Sequence, residues 1–137
     1  MRNRSVPDAT VIPVLSYVDV TEAAEWLCRV FGFRERLRIG QHRVQLTLGN
    51  GALVVTSGDN NTDRGLSHSV LVRVDDVDSH HRRAVAAGAI EIQPPADYPY
   101  GERQYTVDDI GGHRWTFSQS IADVDPADWG GTAVDLT

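Results

Sequence analysis

Setting Asp19 against Asp76, 57 positions later, superimposes two stretches of this chain that carry the same succession of signals. The offset places Val14-Leu15 on Leu71-Val72, Val20 on Val77 and Leu27 on Ala84; with a one-residue gap it places Gly32 on Gly88. An internal repeat constrains architecture more tightly than any single propensity, because each copy is one supersecondary unit whose apolar face must be covered. Matched caps, matched stop glycines and matched element order favour duplication over coincidence.

In the first copy, Thr10–Val18 reads as a strand, and Pro13 confines it to a sheet edge or a bulge. Asp19 precedes Glu22 by three residues, a spacing resembling a capping box. Apolar residues at Val20, Ala24, Leu27 and Phe31 then describe an amphipathic helix ending at Gly32. Strand-like runs follow at Phe33–Ile39, Arg43–Leu48 and Ala52–Ser57, separated by glycine-containing turns. In the second copy a strand at Ser69–Val74 leads to a helix capped by Asp76, with a face of Val77, His81, Ala84 and Val85 and a stop at Gly88. Strands at Ala89–Gln93, Arg103–Val107 and His113–Ser118 complete it. Each copy is βαβββ. The expected class is α+β, one domain over 1–137, with modules at 10–57 and 68–119, a polar linker at 58–67 and a tail at 120–137.

At 137 residues a chain can bury one core without disulfide or metal staples. No apolar run approaches the roughly 20 residues a membrane-spanning helix needs, so no membrane partner is expected. The net charge is −6, and the basic residues, all arginine, form no stripe that could track a phosphate backbone, so nucleic acid is not an expected partner either. Cys28 alone cannot form an internal disulfide, and its place inside the first helix suits a buried, inert thiol. With no apolar stretch behind the first arginines to serve as a secretion signal, the expected compartment is the cytoplasm.

Three segments carry a resemblance: EWLCRVFGF (Glu25–Phe33), VRVDDVDSHHRRAVAAGA (Val72–Ala89) and YGERQYTVDDIGGHRWTFSQ (Tyr100–Gln119). Over about Val11–Gln119 the chain resembles the vicinal oxygen chelate superfamily, which includes glyoxalase I, extradiol dioxygenases and the bleomycin-resistance proteins. The resemblance implies that each module forms half of a curved, cup-like mixed sheet with a ligand site inside, closed within one chain or across two. It also implies a homodimer. Metal-using relatives place one ligand on the first and one on the fourth strand of each module. Counting seven residues back from each capping aspartate gives Ile12 and Ser69; counting four forward from Gly51 and Gly112 gives Val55 and Thr116. None of these is an imidazole or a carboxylate, so no metal and no other cofactor is expected. The histidines do not compensate: His80 and His81 diverge by about 100° on a helix, His42 falls in a turn and His113 in the GHxW ending.

Strand alternation then supplies a ligand lining of Ile12, Val14, Ser16, Leu53, Val55, Ser57, Ser69, Leu71, Arg73, Arg114, Thr116 and Ser118. Tyr98, Tyr100 and Arg103, in a connector over Pro94–Arg103, are candidate lid residues, and Trp129 is expected to pack on the body of the protein or on a partner subunit. The lining is mostly apolar with a few hydroxyls and arginines, which suits a small, partly aromatic organic molecule. The expected function is metal-independent binding of such a compound, sequestration of an antibiotic being one form of it. The alternative is a metal-dependent lyase, isomerase or dioxygenase of the glyoxalase type.

Overall fold

The computed structural model describes residues 3–58 and 68–133. All but the first residue of the expected 58–67 linker, and the end of the tail at 134–137, lie outside the described residues. The chain divides into two compact units, one of residues 1–67 with Ile110–His113, the other of His68–Asp109 with Arg114–Thr137.

The first unit runs β1 (Val14–Tyr17), α1 (Val20–Phe31), β2 (Arg34–Ile39), β3 (Arg43–Leu48) and β4 (Gly51–Ser57). Its sheet has the order β1-β4-β3-β2, with β1 parallel to β4 and the other pairs antiparallel. Pro13 is tolerated because β1 is a terminal strand, and its carbonyl still accepts from Val54 N at 2.9 Å. Asp19 caps α1 by accepting from Glu22 N at 3.0 Å. Gly32, with φ of 83°, ends the helix in the left-handed conformation that glycine adopts without a Cβ penalty. The buried stripe of α1 includes Val20, Ala23, Ala24, Leu27 and Phe31; Leu15, Tyr17, Val44, Leu46, Leu53 and Val55 are buried with it.

The second unit repeats this plan with β5 (Val70–Arg73), α2 (Val77–Ala86), β6 (Ile90–Tyr98), β7 (Glu102–Asp108) and β8 (Arg114–Ser120), in the order β5-β8-β7-β6. β5 is parallel to β8, as β1 is to β4. A 3-10 turn, Pro126–Trp129, follows. Asp76 caps α2 through Ser79 N at 3.1 Å. The buried stripe is Val77, His80 and Ala84, so the expected face of Val77, His81, Ala84 and Val85 is rotated. His80 goes inside, His81 sits at the margin and Val85 is exposed. Trp115 and Phe117 are fully buried, and Trp115 Nε1 donates to the buried Asp109 carboxylate at 2.9 Å.

The segment Pro94–Arg103 is not a loop. β6 continues through both prolines to Tyr98, and a tight turn at Gly101 leads into β7. As the end strand of its sheet, β6 can accommodate residues without an N–H, and the register slips between Gln93 and Ala96, where the prolines stand.

Candidate functional site

Each sheet has one face covered by its helix and one without. On the second sheet the division follows from the ladder. Val70, Val72, Trp115, Phe117, Tyr105 and Val107 share the helix face. Leu71, Arg73, Arg114, Thr116, Ser118, Thr106, Gln104 and Glu102 therefore occupy the open one, with Ser69 preceding them at the same parity. This is the face the sequence assigned to Ser69, Leu71, Arg73, Arg114, Thr116 and Ser118.

The first sheet follows the same logic but corrects the assignment. Leu15 pairs with Val55 and Tyr17 with Ser57, so Leu53, Val55 and Ser57 alternate onto the helix face. Leu53 and Val55 are core residues, 1% and 0% exposed. The open face of β4 carries Ala52, Val54 and Thr56 instead, beside Val14 and Ser16 of β1. Counting from glycine failed because Gly51 is itself the first residue of β4, whereas Gly112 lies before β8 with His113 between it and Arg114, so the two glycines are not equivalent positions. In the repeat Val14 corresponds to Leu71; Val14 pairs with Val54 and Leu71 with Thr116, so Val54 is the counterpart of Thr116.

A hydrogen-bonded ladder crosses the open face of the second sheet. Arg114 chelates Asp108 through Nε at 3.0 Å and Nη2 at 3.3 Å. Thr106 and Thr116 hydroxyls meet at 3.0 Å. Gln104 Nε2 donates to Ser118 Oγ at 3.1 Å and to Glu102 Oε2 at 3.3 Å. Ser118 Oγ donates to Glu102 Oε2, and Ser120 Oγ to Glu102 Oε1 at 3.0 Å. The Ser118 hydroxyl above all, with the Ser120 hydroxyl, the Gln104 amide and the Arg73 charge, holds the Glu102 carboxyl below its usual pKa and therefore ionised at neutral pH.

Aromatic side chains adjoin this carboxylate. Tyr98 and Tyr100 stack with centroids 5.4 Å apart and planes 14° apart, and Tyr100 O–H donates to Gln104 Oε1 at 3.1 Å. Trp129 meets Tyr100 edge-on at 5.6 Å, as expected of a tail residue packing on the body, while remaining 42% exposed. Glu102 and Gln104 were not among the residues singled out from sequence. The alternation Glu102-Gln104-Thr106-Asp108 would have revealed both, had β7 been started one residue earlier. Arg103 belongs elsewhere: its neighbours Gln104 and Glu102 take the open face, and it forms ion pairs with Asp78 of α2 and with Asp97, each at 3.0 Å.

His80 and His113 are structural. His80 Nδ1 meets the Tyr105 hydroxyl and its ring lies 4.0 Å from that of Phe117; burial, with a smaller contribution from Arg83, lowers its pKa to about 4. His113 Nε2 donates to the Ser16 carbonyl at 2.7 Å, and its ring packs on Tyr17. Cys28 is half-buried, and burial followed by the Glu35 charge raises its pKa, the opposite of what a nucleophilic thiol needs.

These two βαβββ units, with parallel first and fourth strands, agree with the family profile described as glyoxalase/bleomycin resistance protein/dioxygenase superfamily, which matches residues 11–117. The chain belongs to this superfamily. Among solved structures it is similar to TioX from Micromonospora sp. ML1, with 38% identity, 81% of this chain and 98% of that chain covered, and a TM-score of 0.69. It shares the fold of a glyoxalase-related enzyme from Fulvimarina pelagi, with 21% identity, 82% and 88% covered and a TM-score of 0.68. It also shares the fold of a variant of the fosfomycin resistance protein FosX from Listeria monocytogenes, with 16% identity, 82% and 90% covered and a TM-score of 0.68. A search of curated proteins finds no match.

That FosX structure holds manganese(II). In the present superfamily member, the positions corresponding to ligand-bearing strand sites carry Ile12, Val54, Ser69 and Thr116, two aliphatic and two hydroxyl side chains. These do not fit a divalent transition ion, which needs several imidazole or carboxylate donors. Among the described residues no three His, Cys, Asp or Glu side chains are grouped to hold a metal. No helix among them is long and apolar enough to cross a membrane.

Proposed function

We propose that this superfamily member is a metal-independent binding protein for a planar, partly aromatic, cationic small molecule, held on the open face of the second sheet. The observation that carries this reading is the ionised Glu102, fixed by Ser118, Ser120 and Gln104, beside the Tyr98, Tyr100 and Trp129 rings. A carboxylate whose lone pairs face hydroxyl and amide donors is already oriented, and an adjoining aromatic wall adds stacking and cation–π attraction. Leu71 and Arg73, both exposed, with Thr116, supply the apolar and hydrogen-bonding remainder. We put forward antibiotic sequestration as the biological form, in keeping with the resistance proteins of the family, and the cytoplasm as its place, which cell fractionation tests.

Thermal-shift screening against planar amine-bearing antibiotics and metabolites tests the reading. A ligand at 100 times its Kd adds about 2.7 kcal/mol of stability, which raises Tm by several degrees. No shift with any planar cation would sink it. Elemental analysis of protein purified without chelator tests metal independence: stoichiometric zinc, nickel, iron or manganese would instead support a lyase, isomerase or dioxygenase.

We further propose a homodimer. β1 and β5 are end strands of their sheets, and on them Val14 and Leu71, equivalent in the repeat, are 51% and 64% exposed. Light scattering that returns a mass near 15.1 kDa would reject the dimer.

A further inference from the structure

Residues 3–10 precede the span over which the family profile matches, and the first of them are folded into a turn. Asn3 Oδ1 accepts from Ser5 N at 2.9 Å, and the Asn3 carbonyl from Val6 N at 3.5 Å. The turn presents two successive carbonyls to side chains of the first sheet. Arg4 O accepts from Arg36 Nη2 at 3.1 Å, and Ser5 O from Gln45 Nε2 at 2.8 Å. Pro7, just beyond, is buried.

The receiving groups are hydrogen-bonded to each other. Gln45 lies between Val44 and Leu46, which are fully buried on the helix face, so its side chain projects from the open face; even there it is only 4% exposed. Its Oε1 accepts from Arg36 Nη1, leaving Nε2 directed at Ser5 O. Arg36 is the extra residue of the β2 bulge, outside the one-to-one register with β3, and can lean across to Gln45. A buried amide N–H without an acceptor is costly, so Gln45 Nε2 calls for a carbonyl above it, while the exposed Arg36 adds a second donor beside it.

We propose that the open face of β2 and β3 is a docking groove for a turn offering two successive main-chain carbonyls. Its occupant is the chain's own Asn3–Pro7 turn, held in cis as a displaceable strap. This site belongs to the first unit and does not depend on the ligand assigned to the second-sheet face. Because only six residues join Pro7 to β1, the strap's effective concentration is high, and a free peptide reaches the groove only when the strap is absent.

The test on the intact chain is trypsin cleavage after Arg4, followed by mass spectrometry. Gln45→Glu keeps an acceptor for Arg36 but removes the N–H given to Ser5 O. It is expected to accelerate cleavage after Arg4 about tenfold, the equivalent of one lost hydrogen bond, with circular dichroism unchanged. Equal rates would overturn the proposal. In a second measurement, a fluorescein-labelled peptide of residues 3–10 is titrated against a chain lacking residues 1–8. Binding is expected, at least about tenfold tighter than to the intact chain. No binding to a truncated chain that keeps its native circular dichroism would overturn it. A change of oligomeric state on truncation, seen by light scattering, would assign the groove to the arm of a second copy and overturn the cis assignment.

Discussion

The two sheets share strand order and the parallel pairing of first on fourth strand, yet their open faces are furnished differently. On the first, Gln45 and Arg36 are engaged by the amino-terminal turn, and Val14 and Val54 are aliphatic. On the second, paired polar groups run from Asp108 and Arg114 to Glu102 and Ser120 and end at stacked tyrosines. The helix faces differ too: Ala23 of α1 corresponds in the repeat to His80 of α2, and both are buried. Topology persists between the copies because caps, stop glycines and ladder register each depend on the others. A side chain on an open face has no helix to fit and is free to take on a separate task.

The strongest way to break the comparison is at the turns. Gly101 has φ of 82°, and a Cβ there would lie 2.1 Å from the Ala122 carbonyl oxygen, which is backbone and cannot rotate away. Gly101→Ala is expected to cost about 4 kcal/mol, left-handed strain plus overpacking, and to abolish ligand binding at Tyr100 and Glu102. Gly32→Ala, at φ of 83° with nothing within 4 Å, should cost only about 1 kcal/mol. Urea titration of both variants checks the pair.

Acid should separate the units next. His80 has a folded pKa near 4, below the 6.5 of free imidazole. Between those values the unfolded chain binds a proton that the native one does not. The His80 contribution is therefore complete above pH 6.5, falls as pH drops, and is lost by pH 4, at a cost of at most roughly 3 kcal/mol. Hydrogen exchange at pH 7 and 4.5 should show α2 and β7 losing protection while α1, with Ala23 in the same place, does so less. Equal loss in both helices would refute the assignment.

Smaller effects sharpen the ligand face. Glu102→Gln should weaken a cationic ligand about tenfold, the scale of a charge-assisted hydrogen bond, with little change for a neutral analogue in calorimetry. Trp129→Ala should weaken the same ligand about threefold through the loss of an aromatic edge contact and leave Tm nearly unchanged. A larger effect of Trp129→Ala than of Glu102→Gln would mean that stacking, not charge, selects the ligand.

Element order, the Asp19 and Asp76 caps and the Gly32 stop were legible in the sequence because each depends on chemistry within a few residues of itself. So was the second sheet's face, where Leu71, Arg73, Thr116 and Ser118 alternate without interruption. The error at Val55 arose where the turn before β4 differs in length from the one before β8, since a one-residue slip reverses every side chain of a strand. His80 rather than His81 is inside because Tyr105 and Phe117, on distant strands, form its pocket. Glu102 is fixed by Ser118 and Ser120 on the neighbouring strand, and Gln45 meets Ser5 across 40 positions of chain. Local signals determined which elements form and where they stop. Which polar groups meet across strands, and therefore what either open face can bind, was decided only by the tertiary structure, because hydrogen-bond geometry depends on partners that sequence spacing does not place.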